Sequence, residues 1–244
     1  MMGYMVVARR VLTDWFDRAY VVHLPERHDR MKIVLGQFDR VGIEPVAGRL
    51  EIFPGIRPSS ENGFPTVGAR GCFLSHREVL ARAMKDNLRR VLIMEDDVEF
   101  HSMLVISPRE ILDDLDRTQW GIAYLGHSLE MPEAMPPQFL LTEERTTGAH
   151  FYAVQGAAIA QLVDYLDSVL TREPGDPMGG PMHYDGALTM FRRAHPKVRT
   201  VAANPSLGKQ AHSRSDISPK PWDRFPITRD LAQLMRGAMR FVGK

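Results

Sequence analysis

Three carboxylates stand side by side at Glu95, Asp96 and Asp97. They end the apolar run Val91-Leu92-Ile93-Met94, and Val98 follows them. A short apolar run of this kind reads as a buried, parallel-type strand. Adjacent anions at its end are costly unless solvated, paired or bound to a cation. The carboxyl edge of an open α/β sheet is where ligands bind. A hard divalent cation takes oxygen ligands and bridges to phosphate. The chemistry this predicts is a cation–diphosphate site. The same acids also suit a solvated strand end or helix start, where they serve solubility or capping. The neighbouring motifs favour the first reading.

Arg27 and Arg30 follow the first core strand. They either clamp phosphates or a base through charge-assisted bonds or are surface arginines at a helix start. Asp185 lies between a Pro/Gly-rich stretch and a helix, as a general base or as a cap. Pro205 to Gln210, followed by His212, Ser213 and Arg214, is polar and basic. That segment folds over a bound anion, with Lys209 and Arg214 supplying charge and His212 a third metal ligand, or it is a solvated loop. His76 and His127 read as satisfied polar residues. The chain has no His-Glu-x-x-His and no paired cysteines, which argues against a zinc hydrolase. It also lacks a Gly-x-x-x-x-Gly-Lys-Ser/Thr loop, a Gly-x-Gly-x-x-Gly fingerprint after the first strand and a serine elbow.

These residues need elements to hold them. Ala19 to Leu24 reads as the first core strand, stopped by Pro25. A helix follows with Met31, Val34, Leu35 and Phe38 as its apolar stripe and Gly42 as its stop. Residues 44–67, rich in proline and glycine, read as a long loop. Gly68 to Leu88 reads as helical mainly in its second half. Ser75 and Glu78 have capping-box spacing, unless Ser75 lies inside a helix that begins nearer Gly71. Further helices are expected at Pro108–Leu115, Ala157–Leu170 and His183–Arg193. Strands are expected at Ile122–Leu125, Phe151–Val154 and Val198–Ala202, with a loop over 129–147. Residues 1–18 show no clear period. Strands alternating with helices predict one α/β domain, a mostly parallel sheet covered by helices on both faces.

With 244 residues the chain suits one large domain or two small ones. A single cysteine, Cys72, excludes an internal disulfide. No stretch approaches the ~20 apolar residues that span a bilayer. The apolar patch Tyr4 to Ala8 precedes Arg9-Arg10, the reverse of signal-peptide order, so a cytoplasmic location is expected. Residues 1–191 carry 19 Lys/Arg against 27 Asp/Glu, whereas residues 192–244 carry 12 against 3. A basic end on an acidic body suggests an anionic partner. Leu231, Leu234, Met235, Ala238 and Val242 share one helical face, and Arg229, Gln233, Arg236, Arg240 and Lys244 the other. Such a helix lies on an anionic membrane surface or packs its apolar face on the domain. Aromatic residues there are few and not interleaved with basic ones, so nucleic acid is not expected.

The motifs recur in a recognisable order. Tyr20-Val21-Val22-His23-Leu24 with Arg27 and Arg30 comes first, then Gly71-Cys72-Phe73-Leu74-Ser75-His76, then Leu92-Ile93-Met94-Glu95-Asp96-Asp97-Val98. Gly148-Ala149-His150-Phe151-Tyr152 with Gly156-Ala157 follows, then Asp185, then Pro205 with Gln210 and Ser215-Asp216-Ile217. Over residues 19–217 this series resembles glycosyltransferase family 25, which includes bacterial lipooligosaccharide and collagen galactosyltransferases. The resemblance implies a GT-A-like nucleotide-sugar-binding fold. It implies inverting transfer of galactose from UDP-galactose, with Mn²⁺ or Mg²⁺, to a glycan or glycolipid acceptor such as lipopolysaccharide. In that reading Asp97, with Glu95 or Asp96, holds the cation, joined by His212. Arg27, Arg30, Ser75, His76, Lys209, Gln210 and Arg214 contact the donor, and Asp185 is the base. His23 stands where the family usually has Asn, which bears on donor preference. Residues 1–18 would be an extension, 19–217 the transferase domain and 218–244 a basic tail that places the protein peripherally on the inner membrane face. The competing classes are a metal-dependent nucleotidyltransferase and a non-catalytic sugar-nucleotide or glycan-binding protein.

Overall fold

Alternating burial builds a sheet with two cores. A computed structural model describes residues 11–211, apart from 133, 145 and 147. In chain order the elements are α1 (Val11–Trp15), β1 (Arg18–His23), α2 (His28–Val41), β2 (Leu50–Pro54), α3 (Val67–Lys85), β3 (Arg90–Glu95) and β4 (Val98–Phe100). They continue with α4 (Met103–Ile106), α5 (Pro108–Arg117), β5 (Ile122–Gly126), β6 (Gln138–Leu141) and β7 (Phe151–Gln155). The described chain closes with α6 (Ala157–Thr171), α7 (Tyr184–Ala194), β8 (Thr200–Asn204) and β9 (Gly208–Gln210). Successive strand side chains point to opposite faces. Ala19 and Val21 of β1 therefore join Leu92, Met94, Ala123 and Phe151 in one core, beneath α1, α2 and α5. Tyr20 joins Val91, Ile93, Tyr124 and Tyr152 in the other, beneath α3, α6 and α7.

The main path of the sheet runs β2-β1-β3-β7-β5-β8-β6. β1 pairs in parallel with β2 and β3, and β5 with β8. β7 runs antiparallel to both β3 and β5, and β6 antiparallel to β8. Five strands on this path thus share one direction, with β7 and β6 reversed. This is the expected α/β architecture, a mostly parallel sheet with helices on both faces.

Several local expectations change. The loop read over 44–67 contains β2, and that over 129–147 contains β6. Both lie at the ends of the main path and are half-exposed, with burial patterns that do not alternate cleanly. Periodicity cannot reveal such strands, because their register comes from distant partners. The supposed extension contributes α1, whose Leu12 is buried, and Phe16 just after it reaches the core. The last strand expected from sequence, β8, spans Thr200–Asn204 rather than Val198–Ala202, and β9 follows it. The capping box at Ser75 does not form. Helix α3 already starts at Val67, where Thr66 Oγ1 accepts the Ala69 N–H at 2.9 Å. Ser75 lies inside it and donates to Gly71 O at 2.7 Å. The basic tail over 218–244, with His212 and Arg214, lies outside the described residues.

Candidate active site

The parallel pair β1–β3 sets the site. Their register places Val22 opposite Glu95, so both strands end at one edge. A tight turn through Asp96 and Asp97 then leads into β4. Its backbone is held on several sides. Asp96 N–H donates to Val22 O at 3.2 Å, Glu95 N–H to His150 O at 2.9 Å, and Ala211 N–H to Asp97 O at 2.6 Å.

The three acids face different partners. Asp96 is engaged on both oxygens: His23 Nδ1 lies 2.7 Å from its Oδ2, and Arg30 Nη1 3.0 Å from its Oδ1. Asp97 Oδ2 accepts from Gln210 Nε2 at 3.1 Å and lies 3.4 Å from Arg30 Nη1. Its Oδ1 is buried and, among the described residues, has no hydrogen-bond partner. Burial, and then the charge of Glu95, push Asp97 up to about 7. Burial acts to raise Glu95 as well, but hydrogen bonding and charge from His76, with His150 and Arg30, outweigh it and leave that carboxyl lowered. Two neighbouring carboxylates driven in opposite directions mark a site rather than a solvated face.

Glu95, Asp96 and Arg30 border a cavity of about 180 Å³, together with Ser75, His76, Cys72 and Arg57. Helix α3 forms one wall and the segment after β2 another. Gly71 lets them meet, since a Cβ there would stand 2.5 Å from Ile56 O. Ser75 Oγ fastens the same wall by accepting the Ile56 N–H at 2.8 Å. Behind the cavity, His76 Nε2 reaches Glu95 Oε1 at 3.2 Å and its Nδ1 reaches Tyr152 Oη at 3.0 Å. Tyr152 Oη in turn lies 2.8 Å from Tyr184 Oη.

Of the residues expected from sequence, Arg30, Ser75, His76, Glu95, Asp96, Asp97 and Gln210 come together. Asp185 opens α7 beside Tyr184 and accepts the Gly186 N–H at 2.8 Å. It also stands close enough to act on Cys72: burial raises that thiol most, followed by the charges of Glu95 and Asp185. Arg27 turns to Asp29 with bonds of 2.9 and 2.8 Å. Lys209 is exposed beside Glu99, on the other face of β9 from Gln210. His23 is absent from the cavity wall and acts on Asp96 instead. Sequence reasoning gave no role to Arg57, Tyr152, Tyr184 or Cys72. For Cys72 a signal existed, because residues four apart share a helix face and Cys72 precedes His76 by four.

Residues 16–172 match the family described as Glycosyltransferase family 25 (LPS biosynthesis protein). The chain belongs to glycosyltransferase family 25. It is 26% identical over 202 residues to procollagen galactosyltransferase 2 of Mus musculus, covering 74% of this chain and 31% of that one. A glycosyltransferase 25 family member of Drosophila melanogaster is 24% identical over 218 residues, covering 82% and 35%. The inactive glycosyltransferase 25 family member 3 of Homo sapiens is 29% identical over 136 residues, covering 48% and 23%. The family 25 chain spans about a third of the length of the first two of these relatives. Among the described residues no helix is long and apolar enough to cross a membrane.

Proposed function

We propose that this family 25 chain is a metal-dependent inverting glycosyltransferase, moving a sugar, galactose by the family pattern, from a UDP donor to a glycan acceptor such as lipopolysaccharide. The observation that carries this reading is the buried, unpartnered Oδ1 of Asp97, a carboxyl that feels the charge of Glu95 and whose other oxygen lies 3.4 Å from Arg30 Nη1. An orphaned carboxylate oxygen among like charges fits a hard cation such as Mn²⁺ or Mg²⁺. Asp97 and Glu95 would hold it, since Asp96 is already engaged by His23 and Arg30. When bound, the cation supplies Lewis-acid stabilisation to the departing diphosphate.

The chain's own groups supply the rest. Arg30 lines the cavity and adds a fixed positive charge next to the acids. Gln210 holds Asp97 in orientation. Asp185 takes the acceptor hydroxyl's proton, as inversion requires of one base. The cavity is smaller than the ~300–1,000 Å³ of most ligand sites, so it receives part of the donor while the remainder lies along the open edge. The basic tail would hold the protein peripherally on an anionic membrane face near a lipid-linked acceptor. The family's procollagen galactosyltransferases support the sugar-transfer reading.

The test is a UDP-release screen over several UDP-sugars and glycan acceptors, with Mn²⁺ and with chelator. UDP release coupled to sugar transfer, lost with chelator, is expected. Pyrophosphate as product would replace this reading with nucleotidyl transfer. The relatives named inactive support a second reading, a sugar-nucleotide-binding protein without turnover. Mn²⁺-dependent UDP binding with no release on any acceptor is its signature.

A further inference from the structure

One group of potential ligands does not belong to the hard-cation set. Cys72 and His76 lie one turn apart on α3 and face Glu95 at the end of β3. Cys72 Sγ is 3.9 Å and His76 Nε2 3.2 Å from Glu95 Oε1, and all three ligand atoms lie within 4.8 Å of one another. Tetrahedral zinc with bonds of about 2.0–2.3 Å sets its ligand atoms roughly 3.3–3.8 Å apart. Small side-chain adjustments reach that geometry. All three residues border the cavity, so an ion has an entry path and a fourth, open position.

A second feature points the same way. Metal-binding histidines commonly use the other ring nitrogen to fix their orientation. His76 Nδ1 has such a partner in Tyr152 Oη, which is linked to Tyr184 Oη. Either tyrosine hydroxyl can donate to the other, so the pair accepts either tautomer of His76. With Nε2 given to a metal, Nδ1–H donates to Tyr152 and Tyr152 to Tyr184. The arrangement needs no rebuilding to present a neutral imidazole to an ion.

We propose that Cys72, His76 and Glu95 form a thiophilic metal site that takes Zn²⁺ or a similar borderline cation. Binding forms a bond from Sγ to the metal, and the thiol proton passes to solvent. A mixed sulfur, nitrogen and oxygen set favours zinc over manganese, which prefers oxygen ligands. Glu95 is shared with the proposed hard-cation site, so zinc there excludes donor-bound manganese; this consequence, though not the binding itself, rests on the glycosyltransferase reading.

Cys72 is the only cysteine of the chain, which makes the test specific. The full chain, freed of metal and kept reduced, is titrated with Co²⁺. A sulfur-to-cobalt charge-transfer band saturating at one equivalent is expected. It should vanish in Cys72→Ser, persist in Asp97→Asn, and require at least about tenfold more Co²⁺ in His76→Ala. A folded wild-type protein without the band, or a band whose midpoint ignores His76→Ala, overturns the site. Mn²⁺-dependent UDP release on the same preparation separates the two ideas. Release without the band sinks the thiophilic site alone, and the band without release sinks the transferase reading alone. Where both appear, Zn²⁺ should suppress release and excess Mn²⁺ restore it; zinc-insensitive release would overturn the shared use of Glu95.

Discussion

Asp97 carries an unusual load for a single side chain. Its carboxyl is raised to about 7 by burial and then by Glu95. A group raised in the folded state binds its proton more tightly there than when unfolded. Its stabilising contribution is therefore complete below the unfolded value near 3.8 and disappears as pH rises through about 7. Metal-free protein should lose on the order of a few kcal/mol of stability over that window. Thermal melts from pH 4 to pH 8 should show the decline, and Asp97→Asn should flatten it. If the mutant melts with the wild-type slope, another group is responsible. The same substitution should lower Mn²⁺-dependent sugar transfer by about a hundredfold or more, roughly 2.7 kcal/mol of lost transition-state stabilisation, with far-ultraviolet dichroism unchanged. The acids were legible because their chemistry is written in residue type and short spacing, whereas Arg30 and Gln210, 66 and 113 residues away from the acids they touch, entered the expected site through the resemblance. The partner of His23 was not. Its bond to Asp96 arises only when β1 and β3 lie side by side.

At the scale of elements, the fit of α3 against the segment after β2 shapes the cavity. Gly71 and Ser75 secure that fit from one helix face. Ser75→Ala leaves the Ile56 N–H without its acceptor, costing about 1–3 kcal/mol. Gly71→Ala forces backbone apart at Ile56 O, an overpacking cost of about 1–3 kcal/mol. Chemical denaturation should resolve both. Donor KM should also rise in each variant, because the wall moves; an unchanged KM would separate the wall from donor binding. The long helices were readable from their apolar stripes, and Gly42 does end α2, in a left-handed conformation at φ 71°. The capping box failed for a physical reason. Thr66 starts α3 earlier, so the Ser75–Glu78 spacing falls within a helix already under way. The closeness of Cys72 and His76 to Glu95 was invisible for a related reason, since it depends on how α3 docks across the sheet.

For the whole molecule, ligand binding and folding are coupled. A cation that binds only the folded chain stabilises it by about 2.7 kcal/mol at a hundred times its Kd. Mn²⁺ added at pH 8 should therefore raise the melting temperature, and chelator should reverse the rise. Asp97→Asn should abolish the response. The charge division of the sequence, acidic to residue 191 and basic beyond, predicts salt-sensitive attachment to anionic vesicles. Removing residues 218–244 should abolish co-sedimentation while soluble-acceptor turnover persists. Binding that ignores both salt and anionic lipid would remove the electrostatic explanation.

The reversal of β7 has a further effect. Phe151 opens that strand directly across from Met94, where β3 is finishing, and His150 already touches the Glu95 backbone. A strand pointing the usual way would bring its exit to this rim; β7 brings its entrance. The end of the stretch that leads in from β6 therefore arrives beside the Glu95 backbone, where His150 O accepts the Glu95 N–H. Ala149 and His150 are buried where this approach meets the sheet, so a substitution there reaches the Glu95 backbone from behind and couples packing to the placement of that carboxylate.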